Sequence, residues 1–206
     1  MNVIPTLSVQ SAYQMIKNMI ASNVLIGGEK IDYTTLGEKL QTDAKVVKKA
    51  LKLLQANGLV IAVPEEGLVI RNFCHQDILD IFDCRIALET MAIKSFVKHA
   101  DQARIDDLRN LLVPFEKGPL SAKVFQKIDF HFHDIILANC GNTFVYELFN
   151  QAHIWLCMEV VGLKRPLKEI LHEHLDMISA IHNRDSVKAV LLMRNHLENS
   201  KQAFLS

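Results

Sequence analysis

The part of the chain after residue 75 shows the periodicity of amphipathic helices almost without interruption, and this pattern constrains the fold more than any other. Only 8 glycines and 5 prolines stand among the 206 residues, which favours helices over a turn-rich β protein. Turn-forming residues divide the pattern at Pro114, Gly118-Pro119, Gly141-Asn142, Gly162 with Pro166, and residues 183–185. The predicted helices cover residues 76–100, 102–113, 119–139, 143–161, 166–182 and 185–204. Six helices joined by short loops predict an antiparallel bundle.

The first 72 residues follow a different plan. The boundaries rest on Gly27-Gly28 after a first helix, on Asp43 as the N-cap of a third helix, and on Gly58 at its end. A turn at residues 64–67 separates two short apolar strands. The predicted elements are helices at 8–23, 33–40 and 43–57 and strands at 59–63 and 68–70. Three helices and a hairpin in about 70 residues are the plan of a winged helix-turn-helix.

The third helix of this segment carries two separate stripes. Its apolar stripe predicts packing against the other two helices, and no acidic residue lies between Asp43 and Glu65 to balance its basic stripe. The basic stripe consists of Lys45, Lys48, Lys49 and Lys52. A solvated surface normally mixes signs for i,i+4 pairing, so an unmixed basic stripe favours contact with DNA phosphates.

These residues resemble the winged-helix domain of GntR-type bacterial transcription regulators. The resemblance runs through "MIASNVLIGGEKIDYTTLGEKLQTDAKVVKKALKLLQANGLV" and the hairpin "VPEEGLVI". In the family pattern "SRTPVREAL", Lys48 stands at the second Arg and Ala44 replaces the first. The wing tip is Glu65-Glu66-Gly67, where the family usually has a basic residue beside the Gly, and two acidic groups there repel phosphate.

Four polar residues in the helical segment are spaced to share one interior. Asp129 and His133 are i and i+4, so they lie on one helix face one turn apart. His174 stands among apolar residues on the inner side of its helix, and His196 follows it by 22 residues, which suits facing positions on two antiparallel helices. One carboxylate and three imidazoles are what Zn²⁺, Ni²⁺ or a similar cation prefers. The alternative is a set of hydrogen-bonded core residues with no metal.

The helical segment resembles the FCD ligand-sensing domain of the same regulators. Its "CRIALETMAIKSFVKHA", "DFHFHDIILANCGN" and "HEHLDMISAIHNRDSVKAVLLMRNHL" are similar to the opening, middle and closing motifs of that domain. Asp129, His133, His174 and His196 match, one for one, the positions that bind metal in the metal-containing branch. With six predicted helices rather than seven, the chain is similar to the VanR-like subgroup.

The resemblance implies a sensor in which a metal and a small organic acid act together. A divalent transition metal, Zn or Ni, that accepts five or six ligands leaves room for the carboxylate of such an effector. Arg85 is the candidate second anchor, because a guanidinium binds a carboxylate bidentately; the alternative is a salt bridge with Glu89 one turn on. A homodimer on a palindromic DNA operator is expected, since one small module makes few specific contacts.

Charge is balanced over the whole chain but not between its parts. Lys and Arg number 23, as do Asp and Glu, yet residues 1–72 hold eight basic against six acidic residues. Residues 73–206 hold fifteen against seventeen, and all nine histidines. This asymmetry predicts two domains, 1–72 and 73–206. The overall balance excludes a wholly basic nucleic-acid coat but leaves room for a local basic surface.

Nothing in the sequence predicts export or a membrane partner. No basic residue precedes Lys17, which argues against a secretory leader, and no apolar run approaches the ~20 residues that span a bilayer. The four cysteines form no C-x-x-C pair and are expected to be reduced thiols. We therefore expect a cytoplasmic protein.

Two alternatives to a metal-dependent regulator come from different classes. The first is a metal-dependent hydrolase that uses the same four-residue site, since an open metal position activates water. Against it, no general base stands beside the site and a winged helix has no part in such chemistry, so the prediction is that the chain is not an enzyme. The second is a regulator-like protein that has lost specific DNA binding, because of Ala44, Glu65 and Glu66.

Overall fold

The computed structural model describes residues 7–116, 118, 121–152, 154, 158 and 161–205. The chain divides into two compact units, one built mainly from residues up to Cys74 and the other mainly from residues after it. The first unit contains α1 (Val9–Ala21), α2 (Tyr33–Leu40), α3 (Ala44–Ala56), β1 (Val60–Val63) and β2 (Gly67–Ile70). The second contains α4 (His75–His99), α5 (Gln102–Leu112), a 3₁₀ turn (Val113–Phe115), α6 (Ala122–Ala138), α7 (Thr143–Gln151), α8 (Leu167–His182) and α9 (Ser186–Gln202). The predicted fold class, mainly α with a winged helix-turn-helix and a helical bundle, is confirmed.

The first unit is held together by α3, which packs against both α1 and α2. Its buried stripe joins one apolar core with Ile16 of α1 and Leu36 of α2. The stripe itself is Val47, Ala50, Leu51 and Leu54. The helix begins at the predicted cap, where a carboxylate oxygen of Asp43 accepts a hydrogen bond from the backbone N–H of Lys45 at 2.6 Å.

The hairpin of the wing is antiparallel, with Val63 paired to Gly67. Pro64 fixes φ at the first corner of the loop, and the backbone of Glu65 is left-handed with a φ of 65°. Residues 28–31 run along the other edge of β2, where the N–H of Ile31 donates to the carbonyl of Leu68 at 2.8 Å. This third segment holds the wing against the helices.

In the second unit, α4 and α9 pack along each other in opposite directions. The ring centroids of Phe82 and Phe204 lie 5.6 Å apart at one end of the pair. At the other end, the guanidinium of Arg184 donates to the carbonyls of Val97 and Ala100 at 2.9 and 2.7 Å. Arg184 stands in the short turn between α8 and α9, so it fastens this turn to the C-terminal end of α4.

Two helices end before the predicted point. The first helix ends at Ala21, with Ser22 as C-cap and Asn23 left-handed at a φ of 56°, which is two residues before the predicted end and well before Gly27-Gly28. The helix predicted over 143–161 ends at Gln151, although no Gly or Pro marks that point. Residues 153, 155–157, 159 and 160 of this prediction, and 119 and 120 of the preceding one, lie outside the described part of the chain. No helix among the described residues has the length and apolar character needed to cross a membrane.

Candidate metal centre and nucleic-acid interface

Four side chains from three helices of the second unit converge on one buried point. Asp129 and His133 lie one turn apart on α6, His174 lies on α8, and His196 lies on α9. One ligand atom from each residue lies within 4.8 Å of the other three. None of the four residues is more than 3% exposed. The structure therefore brings together the four residues that the sequence predicts as a metal site.

Helix periodicity explains why these side chains point inward. Asp129 and His133 share the buried face of α6 with Phe125, Phe132 and Ile136. The buried face of α8 carries His174 with Leu171, Met177 and Ile178. On α9, His196 lies next to Met193 and Leu197 on the face that packs against α4 and α8.

The ring of His133 is oriented by a carboxylate from another helix. Its Nδ1 donates a hydrogen bond to Oε2 of Glu89 on α4, whose Oε1 accepts from Nε of Arg85 at 2.6 Å. Burial disfavours the charged form of Glu89, but Arg85 and His133 outweigh it and hold the pKa of this carboxyl at about 2. An ionised carboxylate only accepts hydrogen bonds, so Nδ1 of His133 carries the hydrogen and Nε2 presents a lone pair to the site.

The ring of His196 is oriented in the same way. Its Nδ1 lies 2.7 Å from Oε2 of Glu173, whose pKa is held at about 2 because hydrogen bonds from His196 and Arg165 outweigh the effect of burial. The Nε2 atoms of His133 and His196 then face each other at 3.2 Å. Two lone pairs at that distance repel each other unless a cation, a metal ion or a proton, lies between them.

The other two members of the cluster lack hydrogen bonds within the described part of the chain. Oδ1 of Asp129 and both ring nitrogens of His174 are buried and make none. Oδ1 of Asp129 lies 3.4 Å from Nε2 of His174 and 3.9 Å from Nε2 of His133. Leaving such groups without partners is costly, and a metal ion that accepts one lone pair from each of the four residues would remove part of that cost.

The protonation states also fit a metal. Burial lowers the pKa of His174 well below its ordinary value, and the neighbouring His196 and His133 lower it further. Burial also lowers the pKa of His196, against the opposing effect of the hydrogen bond that His196 donates to Glu173. Both imidazoles are therefore neutral near pH 7, which is the form that binds a metal. Three nitrogens and one oxygen suit a borderline divalent ion such as Zn²⁺ or Ni²⁺.

Arg85 lies beside this cluster and is 3% exposed. Its Nε makes the predicted alternative contact, a salt bridge to Glu89 one turn away on α4. Its guanidinium carbon also lies 5.6 Å from the ring centroid of Phe82. Neither contact tests the prediction that Arg85 anchors an effector.

Sequence reasoning missed the carboxylates that hold the histidines. The sequence named Glu89 only as the salt-bridge partner of Arg85, although both are ionisable residues on a mostly apolar helix face. Glu173 carries no such signal, since it directly precedes His174 and its neighbours Glu169 and His172 are exposed. The role of Arg165, which pairs with Glu173, is equally invisible in the sequence.

The predicted DNA-contacting residues lie on the outer side of α3. All four lysines, Lys45, Lys48, Lys49 and Lys52, are exposed. They stand opposite the buried stripe of the helix, so their ammonium groups are available to phosphates. The wing tip presents Glu65 and Glu66, which are also exposed. The unit therefore offers a basic helix beside an acidic loop.

Comparison with known families assigns both parts of the chain. The family described as "Bacterial regulatory proteins, gntR family" matches residues 8–70, and the family described as "FCD domain" matches residues 80–199. The HTH-type transcriptional repressor GlaR of Escherichia coli (strain K12) is 28% identical over 206 residues, covering 93% of each chain. The Gluconate operon transcriptional repressor of Bacillus subtilis (strain 168) is 26% identical over 202 residues, covering 91% of this chain and 80% of that one.

Solved structures agree on the fold. A putative transcriptional regulator GntR from Rhodococcus sp. RHA1 has a TM-score of 0.73 at 16% identity, covering 96% of this chain and 97% of that chain. The E. coli protein McbR/YncC has a TM-score of 0.71 at 14% identity, covering 96% of each chain. The relatives are named as transcription regulators, which confirms the prediction that this chain is not an enzyme. The chain belongs to the GntR family of bacterial transcription regulators, with a DNA-binding helix-turn-helix domain followed by an FCD effector-binding domain.

Proposed function

We propose that this regulator senses a small organic acid through a divalent metal ion, and that the acid changes its affinity for DNA. In this proposal residues 1–72 bind the operator and residues 73–206 form the metal-binding, effector-binding and dimerisation domain. The observation that carries it is the buried cluster of Asp129, His133, His174 and His196, whose ligand atoms lie within 4.8 Å of one another. The bound ion would supply a Lewis-acidic position for an effector carboxylate.

The chain's own residues decide how an effector carboxylate is held. Four protein ligands on an ion that accepts five or six leave one or two positions for the acid. We propose Arg85 as the second anchor, because a guanidinium binds a carboxylate bidentately; its Nε already donates to Glu89. One relative is named as the repressor of a gluconate operon, and gluconate is a small carboxylic acid, which supports this class of effector.

DNA binding is proposed to depend on the lysines of α3 and on dimerisation. Residues 1–72 have a net charge of only +2, with Glu65 and Glu66 at the wing tip. We therefore expect weak and strongly salt-sensitive non-specific binding. A two-fold dimer on a palindrome with half-sites about one helical turn apart supplies the missing contacts. Micromolar or tighter affinity for random DNA at physiological salt would contradict this interpretation of the charge.

The first experiment is elemental analysis of protein purified without a polyhistidine tag. About one equivalent of a transition metal per chain is expected, lost in His174→Ala. Less than a tenth of an equivalent of any transition metal counts strongly against the site. Anomalous scattering at the metal edge in a crystal of the same protein identifies the ion.

The second experiment is a gel-shift titration of metal-loaded protein on its own promoter region, with acetate, lactate, succinate and gluconate as probes. Control by an acid requires that it bind the two states of the protein with unequal affinity, so operator affinity must change. Unchanged affinity with a metal-bound acid excludes control by that acid. A salt-dependent footprint on the same DNA argues against the alternative that specific DNA binding has been lost.

A further inference from the structure

Two of the three clustered histidines are held through a second layer of charged residues. We call Arg85–Glu89–His133 the buried arm and Arg165–Glu173–His196 the outer arm. In each arm, an arginine binds a carboxylate and the carboxylate accepts from Nδ1 of the histidine. The two arms approach the cluster from different helices, α4 for the buried arm and α8 with its preceding loop for the outer arm.

The outer arm has the geometry of a rigid fork. Nη1 and Nη2 of Arg165 donate to the two oxygens of Glu173 at 2.7 and 2.6 Å. Nδ2 of Asn199 on α9 also donates to Oε1 at 3.1 Å. A carboxylate held at both oxygens has a fixed plane, so its bond to Nδ1 of His196 fixes the direction of that ring.

The buried arm is arranged similarly but away from solvent. The side chains of Arg85 and Glu89 are 3% and 1% exposed, whereas those of Arg165 and Glu173 are 10% and 23% exposed. A buried charge is tolerated only with a close partner. Here the carboxylate of Glu89 lies between two such partners, the guanidinium of Arg85 and the imidazole of His133.

The third histidine is held differently. Neither nitrogen of His174 makes a hydrogen bond within the described residues. Its ring instead stacks on Phe132, with centroids 4.1 Å apart and planes 11° from parallel. Stacking restrains the ring plane but leaves either nitrogen able to carry the hydrogen.

We infer that Glu89 and Glu173 are positioning residues of the metal centre, which fix the tautomer and ring direction of His133 and His196 before any ion binds. This inference rests on the proposed metal site. It also assigns Arg85 a role through Glu89, whether or not Arg85 meets an effector. Losing an outer carboxylate of this kind typically costs about 10–100-fold in metal affinity.

The outer arm offers a clean test with a matched control. Zn²⁺ affinity of the full-length, untagged protein is measured by chelator competition. Glu173→Ala is expected to weaken Zn²⁺ binding about 10–100-fold, and Glu173→Gln, which still accepts a hydrogen bond, to weaken it less. Glu169→Ala is the control, because Glu169 contacts the same Arg165 at 3.5 Å but is 60% exposed. It should leave the affinity unchanged; equal affinities in wild type and Glu173→Ala would overturn the inference for this arm.

A second measurement separates this inference from the metal proposal. In metal-free protein, ¹⁵N NMR of the imidazole of His196 should report the Nδ1–H tautomer. Glu173→Ala should give a tautomer mixture, and Glu169→Ala should not. If wild type binds no Zn²⁺ but this pattern holds, the metal proposal fails and the positioning role stands. An Nδ1–H tautomer that survives in Glu173→Ala overturns the positioning role even if Zn²⁺ binds.

The buried arm is tested by removing both charges together, since removing Glu89 alone takes from the buried Arg85 the carboxylate that it binds. The variant Arg85→Met/Glu89→Leu replaces the pair by apolar side chains, and circular dichroism with thermal unfolding establishes that it folds. Weaker Zn²⁺ binding and a changed tautomer of His133 are expected. If this variant does not fold, Glu89→Gln is used instead; because an amide both accepts and donates hydrogen bonds, Nδ1 of His133 no longer has to carry the hydrogen, and a tautomer mixture with weaker Zn²⁺ binding is expected. Unaltered affinity and tautomer in the folded variant would remove Glu89 from the site.

Discussion

The two units of the molecule place their ionisable residues in opposite ways. Within residues 7–74, all buried side chains are apolar, and the lysines and carboxylates lie at the surface or at helix ends. The second unit buries a group of six ionisable residues in one place. They are Arg85, Glu89, Asp129, His133, His174 and His196. Both units are small and helical, so the contrast is not a property of the fold class.

This difference in buried side chains separates the residues that stabilise the fold from those proposed to bind a ligand. Burying a charge costs several kcal/mol before compensation, so a core that only needs stability does better with apolar residues. The first unit follows that rule, and its charged side chains lie at the surface, where they can contact DNA. Among its described residues, the second unit departs from that rule at a single cluster, which is consistent with the proposed binding role of that cluster.

The largest expected effect comes from breaking the buried arm. Glu89→Ala leaves Arg85 without its carboxylate at 3% exposure, and should lower the free energy of unfolding by about 3–5 kcal/mol. Urea denaturation in the presence of a chelator measures this without any contribution from metal. The control is Asp107→Ala, which breaks the Arg104–Asp107 pair at about half exposure and should cost about 0–1 kcal/mol. Equal losses of unfolding free energy in Glu89→Ala and Asp107→Ala would mean that burial does not make the Arg85–Glu89 pair more important to stability than an exposed pair.

A smaller effect should be the same in both units. Ile16 in α1 and Ile93 in α4 are each fully buried among apolar neighbours. Ile16→Val and Ile93→Val should each cost about 0.5–1.5 kcal/mol, because apolar packing obeys the same physics in either core. Hydrogen exchange measured within each unit checks this, and Zn²⁺ affinity should not change in Ile16→Val. A cost for Ile93→Val several times larger would show that the bundle is under a constraint beyond packing.

The surface lysines of the first unit should matter only to DNA. Lys48→Ala and Lys52→Ala should each lower the slope of log affinity against log salt by about 1, and by similar amounts on operator and random DNA. Lys168→Ala, an exposed lysine on α8, is the matched control. Fluorescence anisotropy over a range of salt concentrations measures the slope. If Lys168→Ala changed the slope of log affinity against log salt as much as Lys48→Ala does, DNA contacts would extend to the second unit.

The smallest effect concerns a charge at a helix end. Asp32 caps α2, and its hydrogen bonds with the side chain and backbone of Thr35 and the backbone of Thr34 lower its pKa below 3.8. A lowered pKa means that the ionised cap stabilises the folded state above pH 3.8 and that this contribution disappears as pH falls through the lowered value. Wild type should therefore exceed Asp32→Asn in protection of the α2 amides near neutral pH, and the gap should close in acid. A gap that widens in acid would contradict this sign.

Local signals made some elements predictable. α2 has the predicted bounds, and the predicted cap Asp43 accepts a backbone hydrogen bond at the start of α3, because caps act within three residues. Asn142 does the same at the start of α7. The four clustered residues could also be predicted from the sequence. Asp129 and His133 share a face by helix geometry, and the short turn between α8 and α9 makes His174 and His196 face each other.

Long-range pairing was not predictable. Glu89 and His133 are 44 positions apart, and nothing local specifies that α4 packs beside α6. Glu173 belongs by periodicity to the outer side of α8, yet it reaches His196 because Arg165 holds it from the preceding loop. The end of α7 at Gln151 likewise lacks any Gly or Pro, so its apolar pattern predicted a longer helix.

Surface turns are ordinarily where proteins accept insertions, but the turn between α8 and α9 should not. Arg184 fastens it to the end of α4, and two histidines of the cluster stand on the helices at either side. One added residue would rotate His196 by about 100° around its helix axis and move it about 1.5 Å along that axis. Homologous chains that keep the four-residue cluster should therefore keep the number of residues between these histidines constant. The wing loop, which carries no residue of the cluster, is not under this constraint.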